Sequence, residues 1–223
     1  MSERPEAQVP AGARLVLATR NAGKLKELRE LLRGQVPGLD VDTQVIDAET
    51  AGVPDVVEDG TSFAENSLKK SRAVAEATGL PSIADDSGLS VDILGGAPGI
   101  FSARWAGSHG DDQANLDLLL AQLSDIAEPH RKASFVCAAA LTVPPSAGAE
   151  GGEEAYDVVE YGTLDGTLLR EPRGAGGFGY DPVLQPDGES RSCAELSSEE
   201  KNAISHRGKA FRALLPAIVK ALS

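Results

Sequence analysis

Gly79-Leu-Pro-Ser-Ile-Ala-Asp-Asp-Ser-Gly-Leu89 divides a helix from a strand. Gly79 closes the helix before it, and Pro81 forbids that helix from continuing. The apolar run Leu80 to Ala84 then reads as a strand ending in two carboxylates, a hydroxyl and a glycine. Successive strand residues point to opposite faces, so Asp85 and Asp86 diverge. One meets solvent or a structural partner. The other can face a cleft, where a carboxylate holds a hard divalent cation or orients a water. An ordinary Asp-Ser-Gly turn would use the same residues, so the flanking sequence has to decide.

Upstream, Thr61 or Ser62 caps a long helix running to about Thr78, and Ser62 with Glu65 forms a capping box. Before that, Arg14 to Ala18 reads as a strand, Thr19 to Gly23 as a turn and Gly23 to Leu32 as a helix. Leu25, Leu28 and Leu32 supply the helical spacing. Val41 to Ile46 reads as a second strand. Downstream, Gly95, Gly96, Pro98 and Gly99 mark a tight loop. Asp111 or Asp112 opens a third helix with Leu116, Leu119, Leu120 and Leu123 on one face. Lys132 to Val143 is apolar enough for a central strand. Pro144 to Glu154 reads as a hairpin loop, with Tyr156 to Leu164 returning as the partner strand. A second capping box, Ser197 with Glu200, precedes a final helix that carries Phe211, Leu214, Leu215, Ile218 and Leu222. Pro216 should kink that helix or restart it. The alternation predicts one α/β domain over residues 14–223, with two lobes, behind a disordered tail over residues 1–13.

The 223 residues carry a net charge of −13, which argues against nonspecific nucleic-acid binding. An anionic ligand then needs local lysines and arginines or a mediating cation. No stretch is long and apolar enough to span a membrane, and Met1 to Ala13 lacks the apolar core of a secretory signal. Cys137 and Cys193 are too far apart for a metal knuckle, and His109, His130 and His206 show no zinc spacing. A cytoplasmic protein is the expectation.

Four groups of residues carry chemistry. Thr19-Arg-Asn-Ala-Gly-Lys24 joins a strand to a helix, where backbone N–H groups and Lys24 attract phosphate. It lacks the Walker pattern. On the long helix, Asn66 and Lys70 lie four apart on one face and suit a ligand, while Glu65 and Lys69 suit a surface pair. Glu58 and Asp59 before that helix and Asp85 and Asp86 after it can meet at one magnesium ion, which takes one or two carboxylates. Finally, Phe178-Gly-Tyr-Asp181 with Ser205-His-Arg207 offers a stacking ring and groups able to read a base edge. Phe178 equally suits a core, and Arg207 a helix-end salt bridge. A metal, several phosphates and a planar ring together describe a nucleoside triphosphate site.

Six stretches in order make the sequence similar to the inosine triphosphate pyrophosphatase family, the house-cleaning XTP/dITP pyrophosphatases. They are Thr19-Arg-Asn-Ala-Gly-Lys24, Glu58-Asp-Gly-Thr-Ser-Phe-Ala-Glu-Asn66, Ala84-Asp-Asp-Ser-Gly-Leu89, Gly95-Gly-Ala-Pro-Gly-Ile100, Gly176-Gly-Phe-Gly-Tyr-Asp181 and Ile204-Ser-His-Arg-Gly208. They span Leu15 to Leu222. The resemblance implies an elongated α/β fold, related to the Maf-like folds, with a mixed β-sheet, flanking helices and a central cleft between two lobes. It implies a homodimer and Mg²⁺-dependent hydrolysis of noncanonical purine nucleoside triphosphates to monophosphate and pyrophosphate. Carried over, Thr19, Arg20, Asn21, Ala22, Gly23 and Lys24 would bind the triphosphate. Glu58 and Asp86 would hold Mg²⁺, with Asp86 also the general base. Lys70 and Ser87 would contact substrate. Phe178, Gly179, Tyr180 and Asp181, with His206 and Arg207, would hold the base, and Lys201 would reach a phosphate or the base. Two other readings are a pyrophosphatase for modified pyrimidine nucleotides and a sensor that binds purine triphosphates without turnover. Both Asp86 and Lys70 being present argues against the sensor.

Overall fold

The computed structural model describes residues 7–20, 22–145 and 154–223. Six strands form one sheet in the order β2-β1-β3-β4-β5-β6. They are β1 (Leu15–Leu17), β2 (Val45–Asp47), β3 (Ser82–Val91), β4 (Lys132–Val143), β5 (Tyr156–Leu168) and β6 (Leu184–Pro186). β1 pairs in parallel with β2 and with β3, while β5 and β6 are antiparallel. β4 and β5 also run in opposite directions, since Ser134 bonds to Asp165 while Thr142 bonds to Asp157. The sheet is therefore mixed, as the family resemblance implies.

The helices are α1 (Ala22–Leu32), α2 (Val41–Gln44), α3 (Phe63–Thr78), α4 (Asp112–Gln122), α5 (Ser198–Ile204) and α6 (His206–Leu222). Two expectations need correction. Val41 to Gln44 is a helical turn, not a strand, because the Asp40 side chain accepts from Asp42 N and from Thr43 Oγ1 and winds the chain. β3 does not end at the aspartates but continues to Val91. A Cβ at Gly88 would stand 2.4 Å from Ser102 Oγ, and that hydroxyl accepts from Leu89 N, so the glycine serves a close approach within the strand. α6 runs through Pro216 as one helix.

The chain gathers into two compact units. The first comprises Met1–Asp86, Ala138–Glu160 and Ala210–Ser223, and the second Ser87–Cys137 and Tyr161–Lys209. Val16, Ile46, Ala51, Val53 and Val74 pack together in the first. Of the segment expected as a tail, Ala7 and Ala13 pack against this cluster and Gln8 N donates to Ala51 O; residues 1–6 lie outside the described residues. Most of the expected hairpin loop, residues 146–153, lies outside them too. Leu89, Leu119, Phe135, Leu168, Val183 and Leu184 make the core of the second unit.

Cys137 and Cys193 are both buried thiols, and burial pushes Cys193 up to about 12. In the second unit Arg131 is 1 % exposed and donates to the carbonyls of Leu123, Leu168 and Leu169. Among the described residues no helix is long and apolar enough to cross a membrane.

Candidate active site

β1, α1, α3 and β3 bring the phosphate- and metal-directed residues together in the first unit. β3 alternates as expected. Asp85, 3 % exposed, takes Lys24 Nζ on both oxygens at 2.9 and 2.8 Å. Asp86 instead meets α3, where Asn66 Nδ2 donates to its Oδ2 at 3.0 Å and Lys70 Nζ lies 4.0 Å from its Oδ1. Lys70 also reaches Glu58 Oε1 at 2.6 Å. One ammonium thus stands against both carboxylates expected to hold a metal.

The helix that supplies Asn66 and Lys70 starts at Ser62, whose hydroxyl accepts from Glu65 N. The reciprocal half of that capping box is displaced: Glu65 Oε2 accepts from Thr61 N and Thr61 Oγ1. Glu65 therefore does not pair with Lys69, which joins Asp59 instead and holds that carboxyl below its ordinary value. Arg20 is drawn to the neighbouring loop, through Asp55 at 2.7 Å and Val53 O. Thr19 N donates to Leu17 O, and Ala22 and Gly23 open α1. Asn21 lies outside the described residues. Ser87 follows Asp86 directly on β3, half-buried.

The base-directed residues lie in the second unit, on the loop before β6 and on α5 and α6. Gly177 and Gly179 take positive φ, which lets the loop fold back on itself. Asp181, 2 % exposed, accepts from Phe178 N at 2.9 Å and from Lys201 Nζ. Tyr180 is buried and its hydroxyl donates to Ser102 O at 3.0 Å; burial raises its pKa. Gly179 N donates to Asp112 Oδ2 at 2.9 Å. These bonds make Tyr180 and Asp181 the loop's anchors and leave Phe178, 65 % exposed, as its presented ring. Lys201 Nζ lies 5.2 Å from the centre of that ring. A cavity of about 260 Å³ opens beside the loop, bounded by Asp112, Leu116, Phe178 and Pro182. His206 stacks on Phe135 with centroids 5.1 Å apart, and Arg207 follows it, half-buried at the start of α6.

The structure therefore unites Glu58, Lys70 and Asp86, joins Lys24 to Asp85, and unites Phe178, Asp181 and Lys201. Sequence reasoning missed Ser102 and Asp112, whose partners lie 78 and 67 residues away, so that no local pattern marks them. It offered Asn66 to a ligand and did not see its bond to Asp86. Its spacing from Lys70 was the available signal, since residues four apart share a face and Lys70 lies against Glu58 and Asp86.

Among the described residues no three acidic, histidine or cysteine side chains gather into a metal cage. The Glu58 and Asp86 carboxylates, gathered on Lys70, nevertheless fit Mg²⁺. That ion is hard, prefers oxygen, and uses one or two protein carboxylates alongside phosphate oxygens and water.

Comparison with known proteins follows the same lines. A sequence model of the Ham1 family matches residues 15–217. The chain is 64 % identical over 205 residues to a dITP/XTP pyrophosphatase of Streptomyces coelicolor, covering 92 % of this chain and 96 % of that protein. It is 49 % identical to a dITP/XTP pyrophosphatase of Corynebacterium efficiens, covering 93 % and 98 %. A HAM1 protein from Coxiella burnetii superimposes with a TM-score of 0.79 at 40 % identity, over 93 % of this chain and 99 % of that one. A nucleoside-triphosphatase / dITP/XTP pyrophosphatase from Mycobacterium abscessus gives 0.72 at 46 % identity, over 91 % and 99 %. The ordered motifs, the mixed sheet and these likenesses agree, and the chain belongs to the Ham1 family.

Proposed function

We propose that this protein hydrolyses noncanonical purine nucleoside triphosphates, ITP, dITP and XTP, to the monophosphate and pyrophosphate with Mg²⁺. The observation that carries the reading is the gathering of Asp86, Glu58 and Lys70 at one place on α3 and β3. The names of the relatives support the substrate class.

Glu58 and Asp86 would hold Mg²⁺, which when bound neutralises phosphate charge and polarises a water. Asp86 takes the proton of the attacking water as it adds to the α-phosphorus. Lys70 is placed to meet the charge that develops on the leaving pyrophosphate. Lys24, oriented by Asp85, offers a second cation from the start of α1. Such chemistry is mostly positioning and electrostatics.

In the base site Phe178 stacks on the purine while Arg207, His206 and Lys201 present donors. A 6-oxo group accepts from a fixed donor and a 6-amino group does not. Each buried donor left unpaired costs about 1–3 kcal/mol, so two such mismatches suffice to reject ATP. The proposal includes a homodimer in the cytoplasm, on the strength of the family resemblance; sedimentation tests the dimer.

The deciding experiment incubates the protein with ITP, XTP or ATP and Mg²⁺ and resolves products by chromatography. Monophosphate and pyrophosphate from ITP and XTP, with ATP nearly untouched, are expected. Orthophosphate as the first product would mean attack at the γ-phosphorus and would overturn the reading.

A further inference from the structure

Asn66 sits on α3 one turn before Lys70 and is 1 % exposed. Its Oδ1 accepts from Gly60 N at 2.8 Å, in a buried contact. That bond fixes the amide's orientation, because a backbone N–H cannot donate to an NH₂ group. Nδ2 is therefore the atom aimed at Asp86, and it donates to Oδ2 at 3.0 Å. The approach of the Gly60 loop is itself close. A Cβ at Gly60 would stand 2.6 Å from Asn66 Oδ1 and 2.9 Å from Glu65 Cβ, so a side chain there would push the amide away. Gly60 is two residues from Glu58, so one amide ties the loop carrying one carboxylate to the strand carrying the other.

The two oxygens of Asp86 are thereby distinguished. Oδ2 is held by a neutral donor, and Oδ1 turns toward Lys70, which also holds Glu58. A lysine in place of Asn66 would orient the carboxylate too, but would add a second cation and compete with a metal. The amide orients it without that charge.

We propose that Asn66 is the positioning residue for Asp86, fixing the plane of its carboxylate beside Lys70 for the reaction. The proposal rests on Asp86 being the reacting carboxylate.

The test measures kcat and KM for ITP in Asn66→Asp, Asn66→Ala, Asp86→Asn and the double variant Asn66→Ala/Asp86→Asn, with thermal melts of each. Asn66→Asp keeps the shape and the acceptor for Gly60 N but replaces the donor with an oxygen. It should lower kcat about 100-fold, the scale of loss from a misplaced reacting group, with KM within about threefold. Asn66→Ala should do the same in the wild-type background and nothing further in Asp86→Asn, since its effect passes through the group already removed. Asn66→Asp covers the case in which the alanine variant melts below assay temperature. Equal fractional losses from Asn66→Ala in both backgrounds, or a change in KM alone, would overturn this inference while leaving the pyrophosphatase reading intact. Near-normal kcat in Asp86→Asn would bring down the assignment of Asp86 and this inference together.

Discussion

At the scale of single residues, the adjacent aspartates meet different partners because a strand turns neighbours to opposite faces. Asp86→Asn should nearly abolish turnover and leave the fold intact, since an amide neither takes the water's proton nor suits a hard cation. Asp85→Asn belongs to a different class. Facing away from Asp86 does not make Asp85 inert, because it is buried against Lys24. Breaking a buried pair costs about 3–5 kcal/mol. The expected result is a lower urea midpoint and a raised KM for ITP through the loosened Lys24, with kcat falling far less than in Asp86→Asn. Equal kcat losses at both positions would refute the division. This much was legible in the sequence, because alternation is a property of any strand. What Asp85 faces was not, because Lys24 lies 61 residues away and no local pattern links them.

At the scale of elements, α5 is a short helix that carries Lys201. Its seven residues are too few to be stable alone. Ser197 and Glu200 close a full capping box, with Ser197 Oγ accepting from Glu200 N and Glu200 Oε2 from Ser197 N at 2.8 Å. That start holds Lys201 toward Asp181 and the Phe178 ring. Ser197→Ala should cost about 1 kcal/mol, the usual worth of a helix cap. It should raise KM for ITP more than it changes kcat. Hydrogen bonds from the Ser197 backbone and side chain, then the Arg191 partner, hold the Glu200 carboxyl below its ordinary value of 4.5. A depressed carboxylate stabilises the fold above its unfolded pKa, and that stability is lost as pH falls through the folded value. Ser197→Ala keeps the backbone bond and removes only the hydroxyl's share, so the gap in stability should be constant near neutrality and narrow only slightly below pH 4.5, as followed by chemical denaturation. Both boxes stood out in the sequence, and the Ser197 box formed as read. At Ser62 the glutamate turned to Thr61 instead, a choice between two adjacent donors that spacing does not make. The helical turn at Val41 escaped notice because its β-branched residues favour a strand, and the Asp40 cap overrides them.

At the scale of the molecule, most of the residues proposed for phosphate and metal belong to the first unit, and those proposed for the base belong to the second. Phe178→Ala should weaken all purine triphosphates alike, by about 1–3 kcal/mol if it stacks as other aromatics do. Arg207→Ala should shrink the ratio of kcat/KM for ITP over ATP, and Lys24→Ala should leave that ratio unchanged. A constant ratio in Arg207→Ala would remove Arg207 from base reading. The α/β class was legible from alternating strands and helices and the mixed sheet came only with the family resemblance, whereas the partition of the chain into these units depends on contacts far apart in sequence. The net charge of −13 works against compactness by self-repulsion, which dissolved ions relieve. Surface pairs such as Arg33 with Asp42 weaken under the same ions. Arg131 belongs to neither account. Its guanidinium is solvated by three carbonyl dipoles inside the fold, where a counter-ion cloud does not reach. The second unit is thus riveted by a cation indifferent to brine. Melting temperature should rise between low and moderate NaCl, and Arg131→Met should lower it by the same margin at both.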